Sequence, residues 1–143
     1  MSSNTITRND LKNILNEVLP YKDKQVSYCT INANTATTRK SVLSFSHTST
    51  TGKIIFISSI ALYTSRYTSS VEVDINGVAK AVGQTNVQLT PTYGATDRVV
   101  LLGYANVPKN EASTIEVFLQ GQDSGTTATI PSYHTSNIMV IDI

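Results

Sequence analysis

Two histidines, one cysteine and ten carboxylates are the side chains from which this chain of 143 residues would have to build catalysis. A nucleophilic triad needs a histidine beside a serine or cysteine, oriented by a carboxylate. His47 lies in SHTSTTG and His134 in PSYHTSN, both polar and turn-like, and both read as surface or turn histidines. No Gly-x-Ser-x-Gly nucleophile elbow is present. Metal spacing of the HxH, HExxH or CxxC kind is missing as well. Cys29, in the apolar-rich VSYCTI, has no partner for an internal disulfide and reads as a small buried thiol. Glu72, Asp74 and Glu116 alternate with apolar residues and are expected to face solvent. There is no glycine-rich phosphate loop. Gly77, Gly83, Gly94, Gly103, Gly121 and Gly125 read as one per turn or bulge. The expectation is a protein that is not an enzyme, with no catalytic residue, no metal site and no cofactor. A small hydrolase would have to work through His134.

The seven tyrosines are better suited to recognition. A tyrosine offers an apolar ring with a polar tip, which fits interfaces and sugar contacts. Tyr67, Tyr93 and Tyr133 sit in polar turns and, with His134, are the candidate ligand loops. Tyr104 and Phe118 sit on strong strand patterns and are candidates for a subunit interface.

The net charge is +1 and the eleven basic residues are scattered. No basic footprint for nucleic acid is visible, nor a segment suited to a membrane surface. The apolar run IIFISSIALY is too short to span a bilayer, and MSSNTITRNDLKNIL lacks the apolar core of a signal peptide. Serine and threonine make up roughly a quarter of the chain, above ordinary usage, which suits an extracellular or particle-borne β-protein.

The elements that must position these residues are one helix and many strands. Thr7-Arg8-Asn9-Asp10 reads as an N-cap with an acid at N3. Ile6 and Leu11 form the staple pair, and Leu11, Ile14, Leu15 and Val18 then mark one apolar face, ended by Pro20. About three turns of helix are marginal alone. The stripe must therefore pack on its own β-body, on sister helices, or on a larger assembly. YKDKQ at 21–25 reads as a connector. From residue 26 onward the strand candidates are 26–32, 41–46, 53–63, 70–76, 78–82, 85–90, 98–104, 114–120, 126–130 and 137–143. Asn76-Gly77 is a strong hairpin signal, and Asp123-Ser124-Gly125 marks a further turn. Short strands with turns every eight to twelve residues indicate a sandwich or barrel. Ile138 and Val140, with the flanking Ile141 and Ile143, look core-facing, so the closing strand should be interior.

The segments GKIIFISSIALY, VEVDINGV, RVVLLGYANVPKNEASTIEVFLQ and GTTATIPSYHTSNIMVIDI resemble the jelly-roll heads of bacteriophage fibres and virion surface proteins, similar in architecture to tumour-necrosis-factor and C1q heads. The resemblance covers roughly residues 41–143, and ITRNDLKNILNEVLP resembles the short helical leaders of phage structural proteins. It implies a mainly β chain: an antiparallel jelly-roll β-sandwich head over 26–143, preceded by one short N-terminal α-helix and connector over 1–25. It also implies a homotrimer located in the virion, with the helix face Ile6, Leu11, Ile14, Leu15 and Val18 joined to capsid or tail proteins. Loops would remain available to a host surface glycan or protein. The alternative is a carbohydrate-binding β-sandwich module without a virion role. Neither implies nucleic-acid binding or membrane insertion.

Overall fold

The structure is a computed structural model that describes residues 7–18, 25–86 and 95–143. One helix, α1 (Arg8–Val18), precedes ten strands: β1 (Val26–Ile31), β2 (Asn34–Ala36), β3 (Lys40–Thr48), β4 (Lys53–Thr64), β5 (Thr68–Ile75), β6 (Val78–Asn86), β7 (Ala95–Asn106), β8 (Ala112–Gly121), β9 (Ala128–Ile130) and β10 (Ser136–Asp142).

The helix starts as its sequence dictates. The Thr7 hydroxyl accepts from the Asp10 amide at 3.1 Å, and Asp10 accepts from the Thr7 amide at 3.1 Å. This reciprocal box satisfies two amides that would otherwise lack a partner. The hydrogen bonds from Thr7 hold the Asp10 carboxyl below its usual range. Residues 7–13 are all exposed, Leu11 included. Ile6 lies outside the described residues, as do the side chains of Ile14, Leu15 and Val18. Residues 21–24 of the connector expected at 21–25 and residues 87–90 of the strand expected at 85–90 also lie outside them.

The strands form two antiparallel sheets, so the chain is mainly β with the character of a sandwich. The first sheet has β4 as its spine. β7 pairs along one edge of β4, and β10 followed by β1 pairs along part of the other. β9 and β2 continue that second edge beyond β10. The second sheet runs β3-β8-β5-β6. Asn76 and Gly77 take φ of 51° and 78° at the β5–β6 hairpin, the left-handed pair that a two-residue hairpin turn requires.

Inward-facing residues alternate along each strand and meet between the sheets. Phe56, Ile54, Ile60 and Leu62 of β4 and Ile138 and Val140 of β10 are fully buried. Val71 and Val73 of β5 and Ile115, Val117 and Leu119 of β8 are equally buried opposite them. Each such side chain contributes about 1.5–3 kcal/mol by leaving water. The closing strand is interior, with β1 and β4 on either side, but only Ile138 and Val140 face the core: Ile141 alternates onto the outward face and Ile143, past the strand's end, is exposed.

Two further expectations are corrected, and one strand is added. β6 is one strand through residue 83, where sequence suggests a break. A Cβ on Gly83 would lie 2.2 Å from Val99 Cγ1, so the glycine permits close approach of β7 and makes no turn. Gly103 likewise sits mid-strand, where a Cβ would strike the Phe56 ring. The polar NTA of β2 escaped notice because three residues carry no alternation.

Candidate functional site

The outward face of the first sheet holds the most unusual surface of the molecule. Strand register places its residues in rows. Val26, Ile141, Ile55 and Tyr104 form one row across β1, β10, β4 and β7. Tyr28, Met139, Ile57 and Leu102 form the next, and Thr30, Asn137, Ser59 and Val100 the third. Leu102 is 68% exposed, Tyr104 65% and Val100 64%. Val26, Tyr28 and Ile57 are exposed as well. None of these twelve side chains is charged. Four strands at ~4.8 Å and three same-face rows at ~7 Å give a footprint on the order of 400 Å². That is the size of the largest such patch on a typical monomer, which is often functional.

The same face changes character further along β4. Ala61 pairs Arg98, whose guanidinium donates to the Ser59 hydroxyl at 3.1 Å and the Thr135 carbonyl at 2.8 Å. Beyond them, Thr35, Thr129, Tyr63 and Thr96 form a hydroxyl-rich row across β2, β9, β4 and β7. The β9–β10 loop rises over this end. It carries Tyr133, which is 70% exposed, with its ring 4.8 Å from that of His134. A cavity of about 420 Å³ lies between Tyr63 and Tyr133, with Asn34, Thr35, Thr129 and Ser132 among its lining. A smaller one of about 200 Å³ is lined by Thr96, Asp97, Arg98 and His134.

The outward face of the second sheet is polar. Ser44, Glu116 and Asp74 share one row, and Ser41, Phe118, Glu72 and Val82 the next. Arg39 crosses this face with its guanidinium 3.5 Å from the Phe118 ring centre, 2.7 Å from Glu72 and 2.9 Å from Asp74. Asp74 was expected in solvent, but its neighbours cover it to 5% exposure. Burial, reinforced by the hydrogen bond with Glu72, raises its carboxyl to about 6. Arg39 holds Glu72 below its usual range. Among the described residues no cluster of three or more His, Cys, Asp or Glu could hold a metal ion.

His47 is the second correction to the chemistry. It is buried, and it joins the two sheets. Its Nε2 donates to Asp142 Oδ1 at 2.9 Å, and its Nδ1 lies 2.7 Å from the Ser27 hydroxyl. Asp142 also accepts from the amides of Gln25 and Thr50 at 3.1 and 2.9 Å and from the Thr50 hydroxyl at 3.0 Å. Burial alone would raise the Asp142 carboxyl. The hydrogen bonds from His47, Thr50 and Gln25 overcome this and hold it at about 2. Serine, histidine and aspartate in a relay are the components of a hydrolase triad. Neither Ser27 nor His47 lines any of the cavities described above. What the relay does is tie β1, β3 and β10 together where the chain enters the β-body. The sequence hides it because the partners of His47 lie 20 and 95 residues away.

Of the residues singled out from sequence, the structure brings Tyr133 and His134 together. Tyr67, at φ 30° in the β4–β5 turn beneath the Arg66 guanidinium, does not line the Tyr133 cavity. Tyr93 lies outside the described residues. Tyr104 and Phe118 stand on the outward faces of different sheets. Tyr63 was missed as a candidate site residue because it closes an apolar run that reads as core. No protein-family model and no curated protein matches the sequence.

Proposed function

We propose that the chain is a non-enzymatic structural protein of a bacteriophage particle, a homotrimeric jelly-roll knob held to the virion by its N-terminal helix. The observation that carries the oligomer is the uncharged apolar face on β1, β10, β4 and β7. Strands buried on both faces read as continuous apolar runs, and β4 reads KIIFISSIALYT. One side of that run fills the core, and a sister copy covers the other. In a cyclic trimer each interface is heterologous and only residues on the axis meet their own copies; a face without charge brings no like charges together there. Tyr104 belongs to this interface.

The jelly-roll assignment is supported by strand order. β1-β10-β4-β7 opposes β3-β8-β5-β6, with most successive strands changing sheet as in a wrapped ribbon. The anchoring role of residues 1–25 is supported by a capped helix whose Leu11 is 51% exposed. Placement in the virion rests on the sequence resemblance, and the loops around Tyr133 are the adhesive surface.

Light scattering on the full chain and on a chain beginning at residue 21 tests the proposal. A trimer in both supports assembly through the β-body with the helix free to anchor. A trimer only with the helix assigns assembly to a helical bundle and removes the anchor. A monomer in both overturns the knob and favours a carbohydrate-binding sandwich, the reading that the Tyr63–Tyr133 cavity supports.

A further inference from the structure

We infer that the cavity between Tyr63 and Tyr133 is a subsite for a neutral pyranose, the terminal ring of a surface glycan. The inference rests on the adhesive part of the reading above and names its ligand class. Its volume of about 420 Å³ falls within the usual range for small-molecule sites, about 300–1,000 Å³. The nine residues that line it include no Asp, Glu, Lys, Arg or His. They supply two aromatic rings, an amide and several hydroxyls, the combination that meets the apolar C–H face and hydroxyl rim of a sugar.

The polar groups are already oriented. Lys40 Nζ can only donate, and it lies 2.8 Å from Asn34 Oδ1. The Thr35 amide donates to the same oxygen at 3.0 Å. The carboxamide oxygen is thereby occupied, and its two N–H donors remain for a ligand. The Thr35 and Thr129 hydroxyls lie 3.3 Å apart in the row that floors the cavity. Tyr133 leans on His134 with the rings inclined at 60°, which limits the motion of an otherwise exposed side chain. An oriented site loses less on binding than one that must order its side chains.

The site lies along β4 from the apolar rows. Four residues separate Ser59, in the last of the three rows, from Tyr63, ~13 Å of strand. Sugar binding and self-association therefore occupy different parts of one sheet, and separate substitutions should affect them.

The test titrates the full chain with methyl glucoside, methyl galactoside, N-acetylglucosamine and N-acetylneuraminic acid, read by NMR shifts of the protein. Solution mass is measured in parallel. Binding of at least one neutral sugar with Kd near 1 mM is expected, an order typical of a weak single-ring contact. Tyr133→Ala should weaken it about tenfold or more, the loss of one aromatic platform. Tyr133→Phe should retain it, and Asn34→Asp, which removes both donors, should weaken it. The inference is overturned if no neutral sugar shifts the lining residues, if Tyr133→Ala binds as well as the parent, or if the acidic sugar is preferred. A change of mass in Tyr133→Ala assigns the loop to the contact between copies and removes the subsite while leaving the oligomer. Sugar binding by a monomeric parent does the reverse.

Discussion

The two sheets bury the same kinds of residue between them and present opposite surfaces outward. On the second sheet, β5 and β8 read TSSVEVDI and ASTIEVFLQG, and each core residue alternates with Ser, Thr, Glu, Asp or Gln, with Phe118 the one apolar exception. On the first, the outward positions of β4, β7 and β10 include Ile55, Ile57, Val100, Leu102, Tyr104, Met139 and Ile141. Inward composition cannot distinguish the sheets, since both supply Val, Ile and Leu to one core. The outward set does. A sheet whose outer face is meant for water alternates, whereas one meant to be covered on both sides does not. Under the proposed assembly the first sheet is the one that sister copies cover, and the second, with Arg39 laid over Phe118, is the exterior.

The strongest way to break the comparison is a charge in the apolar rows. Leu102→Asp puts one carboxylate on each copy, where sister chains would bury it unpaired. A buried charge without a partner costs about 3–5 kcal/mol, and a trimer contains three. The expected result is a monomer by light scattering with unchanged far-ultraviolet circular dichroism, since Leu102 is solvent-exposed within its own chain. An intact trimer with Asp at 102 would show that this face is not the interface.

The seam between the sheets comes next. Asp142→Ala removes the carboxylate that receives His47, Thr50 and Gln25 and leaves a buried histidine without its acceptor. A loss of about 3–5 kcal/mol follows, with Tm lower by roughly 10 °C. Acid should act on the same group. Its pKa is depressed to about 2 in the folded chain, so its contribution is complete above the ordinary carboxylate value. It disappears as pH falls from about 4 to about 2. Denaturant midpoints between pH 5 and pH 2 check this, and Asp142→Ala should flatten that limb.

Asp74 sharpens the contrast by opposing the seam in sign. Its folded pKa is raised to about 6, so the native state binds a proton there more readily than the unfolded chain. Stability should therefore rise as pH falls from about 7 towards 4, by at most about 3 kcal/mol. Glu72, held low by Arg39, works in the opposite direction. Asp74→Asn should reduce this slope and leave the acid limb below pH 4 intact. A slope unchanged in Asp74→Asn would mean that the cluster does not titrate in this range.

Much of this was legible in the residues. The Thr7–Asp10 box, the Asn76-Gly77 turn and the alternation of β5 and β8 are local signals, and the structure forms each of them. What sequence could not supply depends on partners far along the chain. His47 looks like a turn residue until Asp142 is placed beside it. Asp74 alternates like a solvent residue until Arg39 reaches across from the β2–β3 loop. Gly83 reads as a break because close packing against Val99 and Leu101 leaves the same mark as a turn. Tyr63 reads as the end of an apolar strand because the loop that makes it a cavity wall is contributed by residues near 133. The continuous character of β4 was visible from the start. Its meaning appears only when the outward rows of β1, β10 and β7 prove apolar too.

The smallest expected effect is the control for all the others. Val82 is exposed on the outward face of the second sheet, in register with Glu72. Among the described residues β6 ends the β3-β8-β5-β6 order, so Val82→Lys adds a charge to an edge strand. The new ammonium faces solvent beside a carboxylate, an arrangement worth at most a few tenths of a kcal/mol. Lysine also suits an edge strand, because it opposes pairing with another chain. Mass should remain that of the parent, and Tm should move by no more than about 2 °C, as a surface change within ±0.5 kcal/mol allows. The pairing with Leu102→Asp is what gives the control its force. Both substitutions introduce a charge at an exposed apolar position of the same small body, on different sheets, though the sign of the charge and the carboxylate beside Val82 also differ. Dissociation by Val82→Lys, with Leu102→Asp still assembled, would reverse the assignment of the faces.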